Sequence, residues 1–198
     1  MLIPICGPDP YDKNSTSLCT AGEFYLGSKY KIIILQLRSP LVGNSNEFFH
    51  ECVKFVQQKK IKKIIMLTSS YDYERTDRSE SGLRYLSSDK ALLNNEEVLK
   101  SLAWKSHIKK DQTEPMEECF ISGAGFANGF YKHFRHTETP CTVLFCYCSE
   151  GDNVSDALIL FKGLNQWLNL IQDNIKNGIK YPSSWEYLYG NPPSTEMY

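Results

Sequence analysis

The stretch that most constrains this chain runs from Cys141 to Trp167. There an apolar strand, Thr142–Tyr147, passes through Ser149-Glu150-Gly151-Asp152-Asn153 directly into a long helix. Two readings of that turn stand side by side: an active-site loop at a strand's end, or a turn that only starts a helix. Asn153 is a good N-cap, and Asp156 falls in the first turn, where a carboxylate meets the positive end of the helix dipole. Gly151 supplies the backbone freedom of a tight strand-to-helix turn. Beyond it Val154, Ala157, Leu158, Phe161, Leu164, Leu168 and Ile171 share one face at helical spacing, and Leu160 and Trp167 widen that face. A helix this apolar calls for cover on more than one side, from its own sheet and, as one reading, from a partner protein.

The remaining chain reads as alternating strands and helices. Glu23–Leu26 and Tyr30–Leu37 are two strands around a Gly27-Ser28 turn. Asn44 with Glu47 starts a helix whose buried stripe is Phe49, Cys52, Val53 and Val56. Ile64–Leu67 is a continuous apolar strand, as expected of one covered on both faces. The Ser-rich segment from Thr68 to Gly82 is too long for a simple connection and is a candidate interaction loop. A short strand, Leu83–Leu86, a polar helix from Asp89 to about Leu102 and an exposed loop, Lys105–Glu118, come next. Gly123-Ala124-Gly125 then leads into a helix with Phe126, Ala127, Phe130, Tyr131 and Phe134 on one side. This alternation predicts a single layered α/β/α domain over residues 1–198, helices on both faces of the sheet, with a flexible tail from about residue 190.

Charge excludes some partners. Twenty-two basic against 23 acidic residues leave a formal charge of −1, which favours neither nucleic acid nor an anionic membrane. The basic run Lys59, Lys60, Lys62 and Lys63 sits where a helix ends, where cations complement the dipole. No apolar run approaches the ~20 residues of a membrane span, and Met1–Cys6 lacks the basic start and apolar length of a signal peptide. The seven cysteines include no Cys-x-x-Cys, which supports neither a zinc nor a disulfide framework. Cys146 and Cys148 alternate along a strand and face one side as small core residues. A reducing compartment, cytoplasm or nucleus, is the expectation.

Several residues carry chemistry in principle. Gly123, Gly125 and Gly129 are spaced one residue too wide for a dinucleotide loop. His133 and His136, three apart on a helix, have a metal-binding spacing but no clear third ligand, and they also suit that helix's C-terminal end. Ser149, Glu150 and Asp152 lie at a strand's carboxyl end, where α/β proteins bind ligands, with no histidine near in sequence. No cofactor or metal is called for.

Longer blocks are distinctive: Leu35-Gln36-Leu37-Arg38-Ser39; Leu67-Thr68-Ser69-Ser70 with Tyr73, Arg75 and Asp77; Arg84-Tyr85-Leu86; and Lys100-Ser101-Leu102-Ala103-Trp104. Then come Ser149–Asn153 with Asp156-Ala157-Leu158, Leu164-Asn165-Gln166-Trp167-Leu168, and Pro182-Ser183-Ser184-Trp185. In this order they resemble the proteasome assembly chaperone family from Leu2 onward, Ser149–Leu158 and Pro182–Trp185 being the most specific pieces. The resemblance implies a fold similar to the nucleoside-phosphorylase-like α/β class, without catalysis. It also implies a heterodimer with the related proteasome assembly chaperone 1 that supports formation of the 20S proteasome α-ring and blocks off-pathway α-ring pairing.

Two departures from the family pattern accompany the resemblance. Family members begin with a further strand–helix–strand unit, and this chain starts at Leu2-Ile3-Pro4-Ile5, where that unit ends. An N-terminal truncation of roughly 30 or more residues is therefore expected. Chaperones of this system also insert tails ending hydrophobic-Tyr-any residue into pockets between α subunits. Here Glu196-Met197-Tyr198 places tyrosine last, one residue out of register, so a docking tail and a frayed terminus are both open. Trp185, Tyr187, Leu188 and Tyr189 are candidate interface residues, or else core folded back on the long helix. The alternative to a chaperone is a small-molecule enzyme of nucleoside-phosphorylase type using the Ser149–Asn153 turn.

Overall fold

The computed structural model describes residues 2–12, 14–76, 82–107, 120–171, 179–182 and 185. In chain order these form strands β1 (Cys6–Pro8), β2 (Leu18–Thr20), β3 (Gly22–Gly27) and β4 (Ile32–Leu37), then helix α1 (Ser45–Gln58) and strands β5 (Ile64–Tyr71) and β6 (Leu83–Ser87). Helix α2 (Asp89–Ser101), strand β7 (Lys105–Ser106), helix α3 (Phe126–Phe134), strand β8 (Cys141–Cys148) and helix α4 (Val154–Leu168) complete the order. They fall into two compact units, Val42–Asn169 and the residues Leu2–Leu41 with those from Leu170 onward.

The larger unit is built on a four-stranded sheet of order β5-β8-β6-β7. β5 and β8 run parallel from Ile64 opposite Cys141 to Tyr71 opposite Cys148, while β6 is antiparallel to β8, with Tyr85 opposite Leu144. β8 is buried from Cys141 through Cys146. That follows from its composition: an uninterrupted apolar run suits a strand covered on both faces. Its one hydroxyl in that run, Thr142 Oγ1, accepts from Ser87 Oγ at 3.2 Å, which removes the cost of burying it unpaired.

Helices cover both faces, as expected. Leu144 and Cys146 of β8 and Tyr85 of β6 share a core cluster with Leu99 of α2, Trp104, and Leu160 and Leu164 of α4. On the opposite face the Thr68 hydroxyl meets the Ala124 carbonyl at 3.5 Å, and α3 packs against β8. Phe49 of α1 then meets α3, edge-to-face with Phe130 at 6.1 Å. The expected stripe of α1 is buried at Phe49 and Val56 and half-buried at Cys52 and Val53. Asn44 caps α1 as expected, its Oδ1 accepting from the Asn46 N–H at 3.2 Å.

Three expectations are corrected. The strand expected over Ile64–Leu67 continues to Tyr71, because parallel pairing with Phe145–Cys148 satisfies the backbone of Thr68-Ser69-Ser70-Tyr71 despite their polarity. That strand is not covered on both faces: Leu67 is 47% exposed. The expected face of α4 holds at Leu160 and Leu164, which are buried, and at Trp167 and Leu168, which pack on the same core, but Ala157 is exposed and Gly163 and Asn165 are buried in addition. Helix α4 turns this side inward because Gly163 lets the Trp104 ring close on it, and it ends at Asn169 in a left-handed conformation (φ 50°), so Ile171 lies beyond it.

In the smaller unit β3 and β4 form an antiparallel hairpin, Phe24 opposite Leu35 and Leu26 opposite Ile33. A short 3₁₀ turn over Ser28–Tyr30 joins them, closed by Lys31 in the left-handed region. β1 and β2 make a second antiparallel pair that the sequence does not announce. The six described cysteines are free, and Cys146 and Cys148 share a side of β8 with their sulfurs 3.6 Å apart.

A Cβ added to Gly163 would lie 2.6 Å from Trp104 Cζ2 and 3.2 Å from Leu83 Cδ1. Gly163→Ala is therefore expected to destabilise by about 1–3 kcal/mol of overpacking, only partly offset by the ~1 kcal/mol gain in helix propensity. A thermal melt followed by circular dichroism checks this against Ile159→Ala, an exposed site on the same helix that should shift much less.

Candidate functional site

The Ser149–Asn153 turn is the first candidate, and its side chains serve the backbone. Gly151 takes φ +111°, a conformation that side-chain-bearing residues rarely adopt. The capping role predicted for Asn153 belongs instead to Asp152, whose Oδ1 accepts from the Val154 N–H at 3.0 Å, while Asn153 makes no side-chain cap bond. The Asn153 carbonyl takes up the Ala157 N–H at 3.0 Å, and Asp156 lies in the first turn as expected. Ser149 and Glu150 are exposed. This arrangement starts a helix, since Asp152 occupies an orphan donor that would otherwise need water.

The cysteines of β8 are poor nucleophiles. Burial pushes the Cys146 thiol up to about 12, with its neighbour Cys148 adding to the effect, and burial pushes Cys141 to about 12 as well. His133 does not join His136 as a ligand pair: its Nδ1 lies 2.7 Å from the Gly129 carbonyl and its ring packs 5.0 Å from Phe49. Among the described residues no cluster of three potential metal ligands forms. Lys63 of the basic run lies over the Trp167 ring at 4.5 Å, a packing role that the dipole reading did not include.

A second site draws Ser70 and Glu74 from the Thr68–Gly82 segment expected as an interaction loop, and its other residues are not foreseen from the sequence. At the carboxyl ends of β5 and β8, Ser70, Glu74, His107, Phe120, Ser122 and Tyr147 line an open cleft of about 350 Å³. Ser70 and Tyr147 are register partners and so point to one face of the sheet. Ser122 Oγ donates to Glu74 Oε1 at 3.2 Å. His107 Nε2 lies 3.0 Å from the Phe120 carbonyl, and its ring stands edge-on to Phe145 at 5.2 Å. Burial holds the His107 pKa below its ordinary value, with the nearby Arg84 charge adding to that and the bond to Phe120 opposing it. In the same stretch of chain as Ser70 and Glu74, Tyr71 and Tyr73 stack at 5.0 Å, and Tyr73 is 72% exposed. These residues come from four separate stretches of chain, so no local motif marks them.

The β3–β4 hairpin is the third feature. Phe24, Leu26 and Ile33 on one face and Tyr25 and Ile34 on the other are exposed, Leu26 at 73%. Its polar end is pinned by Arg38. The guanidinium donates to Glu23 Oε2 at 2.6 Å, the Tyr25 hydroxyl oxygen at 2.7 Å and the Gln36 Oε1 at 2.9 Å. Tyr25 in turn donates to Glu23 Oε2 at 2.5 Å. Of the expected interface residues, Trp185 is half exposed, its ring 6.4 Å from that of Tyr181. Tyr187, Leu188, Tyr189, Glu196, Met197 and Tyr198 lie outside the described residues.

No family model matches the chain. Sequence relatives do. A Xenopus laevis protein named proteasome assembly chaperone 2 is 32% identical over 98% of this chain and 80% of its own length. The Homo sapiens protein of that name is 31% identical over the same shares. The chain belongs to the proteasome assembly chaperone 2 family. A crystal structure of a Pyrococcus furiosus protein, described as an archaeal homologue of proteasome-assembly chaperone, superposes with a TM-score of 0.49. It is 19% identical and covers 79% of this chain and 62% of that one. The Ser149–Leu158 stretch singled out in the sequence coincides with the turn and cap that launch α4.

Removing the cap should cost little but measurably. Asp152→Ala is expected to lower stability by about 1 kcal/mol, and Asn153→Ala by less, in paired thermal melts. The hairpin supplies a pH prediction. Hydrogen bonds from Tyr25, then the Thr20 N–H, then Arg38 hold the Glu23 carboxyl down to about 2. Its contribution is therefore complete above the unfolded carboxylate value of about 4.3 and is lost as the pH falls toward 2. A side-chain NMR titration should show that low midpoint in the native chain and a clear rise in Tyr25→Phe.

Proposed function

We propose that this chain is a non-enzymatic assembly chaperone that pairs with proteasome assembly chaperone 1 and promotes 20S proteasome α-ring assembly. The pair binds α subunits and covers surfaces that would otherwise associate off-pathway. The observation that carries this is the near-full-length relationship to proteins named proteasome assembly chaperone 2. The mechanism is steric and thermodynamic, a large protein surface favouring one association and blocking others. Exposed apolar residues on both faces of the β3–β4 hairpin support it, because a two-stranded ribbon is marginal in water by itself and gains from cover.

The Ser149–Asn153 turn belongs to this reading as a structural element, since its one well-placed carboxylate is engaged by the Val154 amide. A single domain over residues 1–198 and a cytoplasmic and nuclear location complete the proposal. The candidate contact residues Trp185, Tyr187, Leu188 and Tyr189, and the terminal Glu196, Met197 and Tyr198, are proposed to act in partner binding.

Co-expression of the tagged chain with proteasome assembly chaperone 1, followed by size-exclusion chromatography and mass spectrometry, tests the reading. The expected product is a one-to-one complex that captures 20S α subunits. A folded chain that co-purifies with neither would contradict it.

A further inference from the structure

The four-stranded sheet ends in two unlike edges. On one side stands β7, two residues long and carrying Lys105, a short charged strand of the kind that resists pairing with another chain. On the other stands β5, eight residues long, Ile64-Ile65-Met66-Leu67-Thr68-Ser69-Ser70-Tyr71. That run contains no charge, proline or glycine, and its register with β8 is continuous from end to end. The usual devices that blunt a sheet edge are missing from it.

β5 bonds to β8 through alternate residues. The Ile64 N–H donates to the Pro140 carbonyl at 2.9 Å, which in a parallel ladder turns the backbone groups of Ile64, Met66, Thr68 and Ser70 toward β8. Those of Ile65, Leu67 and Ser69 point the other way and make no hydrogen bond among the described residues. The side chain of Ile65 packs on the core, whereas that of Leu67, next along on the same face, is 47% exposed.

Charge decides whose strand fits this edge. Lys59, Lys60, Lys62 and Lys63 precede β5, and Asp72 and Glu74 follow it with Arg75 as the nearest cation. A second copy laid parallel would set lysines beside lysines. Laid antiparallel about a two-fold axis, it sets the basic end of each strand against the acidic end of the other. Backbone phase then fixes the register, because outward-facing residues must meet outward-facing residues. Centring on Leu67 places Leu67 opposite Leu67 and Ile65 opposite Ser69, with Lys62 reaching Asp72 just past the strand ends. Every outward group of these three residues gains a partner, and each exposed leucine is covered by its counterpart.

We propose that β5 is a self-complementary edge through which two copies of this chain join their sheets antiparallel, centred on Leu67. The inference concerns the chain by itself and goes beyond the assembly-chaperone reading.

Sedimentation equilibrium of the full chain alone tests it. A dimer is expected at about 100 μM, and Leu67→Lys, which puts a charge on the axis, should weaken it at least about tenfold. Ile159→Lys, an exposed change on α4, should leave it unchanged. Lys62→Glu and Asp72→Lys should each weaken the dimer, while an equal mixture of the two variants should associate as the wild type does, a rescue that damage to the fold would not give. In hydrogen exchange the Leu67 amide should be protected in the dimer and lose that protection on dilution. A folded chain that stays monomeric, a Leu67 amide equally protected at every dilution, a dimer indifferent to Leu67→Lys, or a mixture that stays dissociated would overturn the inference. Capture of proteasome assembly chaperone 1 and α subunits is scored separately, so either reading can fail without the other.

Discussion

Burial of β8 on both faces is the constraint on which the larger unit depends. It pairs with β5 on one side and β6 on the other, and its first six residues are buried beneath helices. Such a strand tolerates polar groups only where each finds a partner, and the Ser87–Thr142 hydroxyl pair and the Ser88 hydroxyl on the Cys141 amide meet that need. The same burial pushes the Cys141 and Cys146 thiols up to about 12, further from the thiolate form. Its far end then fixes where the chain must turn, so the Ser149–Asn153 segment and the adjoining cleft both take their position from it.

The β8–α4 unit is legible in sequence because its periodicity is local and strong: an unbroken apolar run, then a polar turn, then a 3.6-residue pattern. What periodicity misses comes from distant residues. Trp104 closes on Gly163, which is buried beside the expected Leu160 and Leu164, and a helical wheel drawn for α4 alone contains no Trp104. Asp152 and Asn153 are both capping residue types at adjacent positions, and the choice between them depends on the left-handed Gly151 that places the Asp152 carboxylate at the helix start. Thr68-Ser69-Ser70 looks like loop by composition and is strand by pairing, because the register with β8 supplies hydrogen bonds that side-chain polarity does not reveal.

The cleft illustrates the same limit for function. Ser70 comes from the end of β5, Glu74 from the turn after it, His107 from beyond β7, Ser122 from the approach to α3, and Tyr147 from β8. Only the folded sheet brings them together. By contrast, the resemblance to the family is legible from contiguous blocks of sequence, and one of these, Ser149–Leu158, forms a backbone turn and a helix start.

The most direct test of the central claim is assembly itself, measured with purified components. Native gel electrophoresis should follow α-subunit ring formation with and without this chain in complex with proteasome assembly chaperone 1. Single α rings should accumulate faster, with fewer paired or aggregated α species, when the complex is present. Identical α-ring yields and identical off-pathway species with the folded complex added would contradict it.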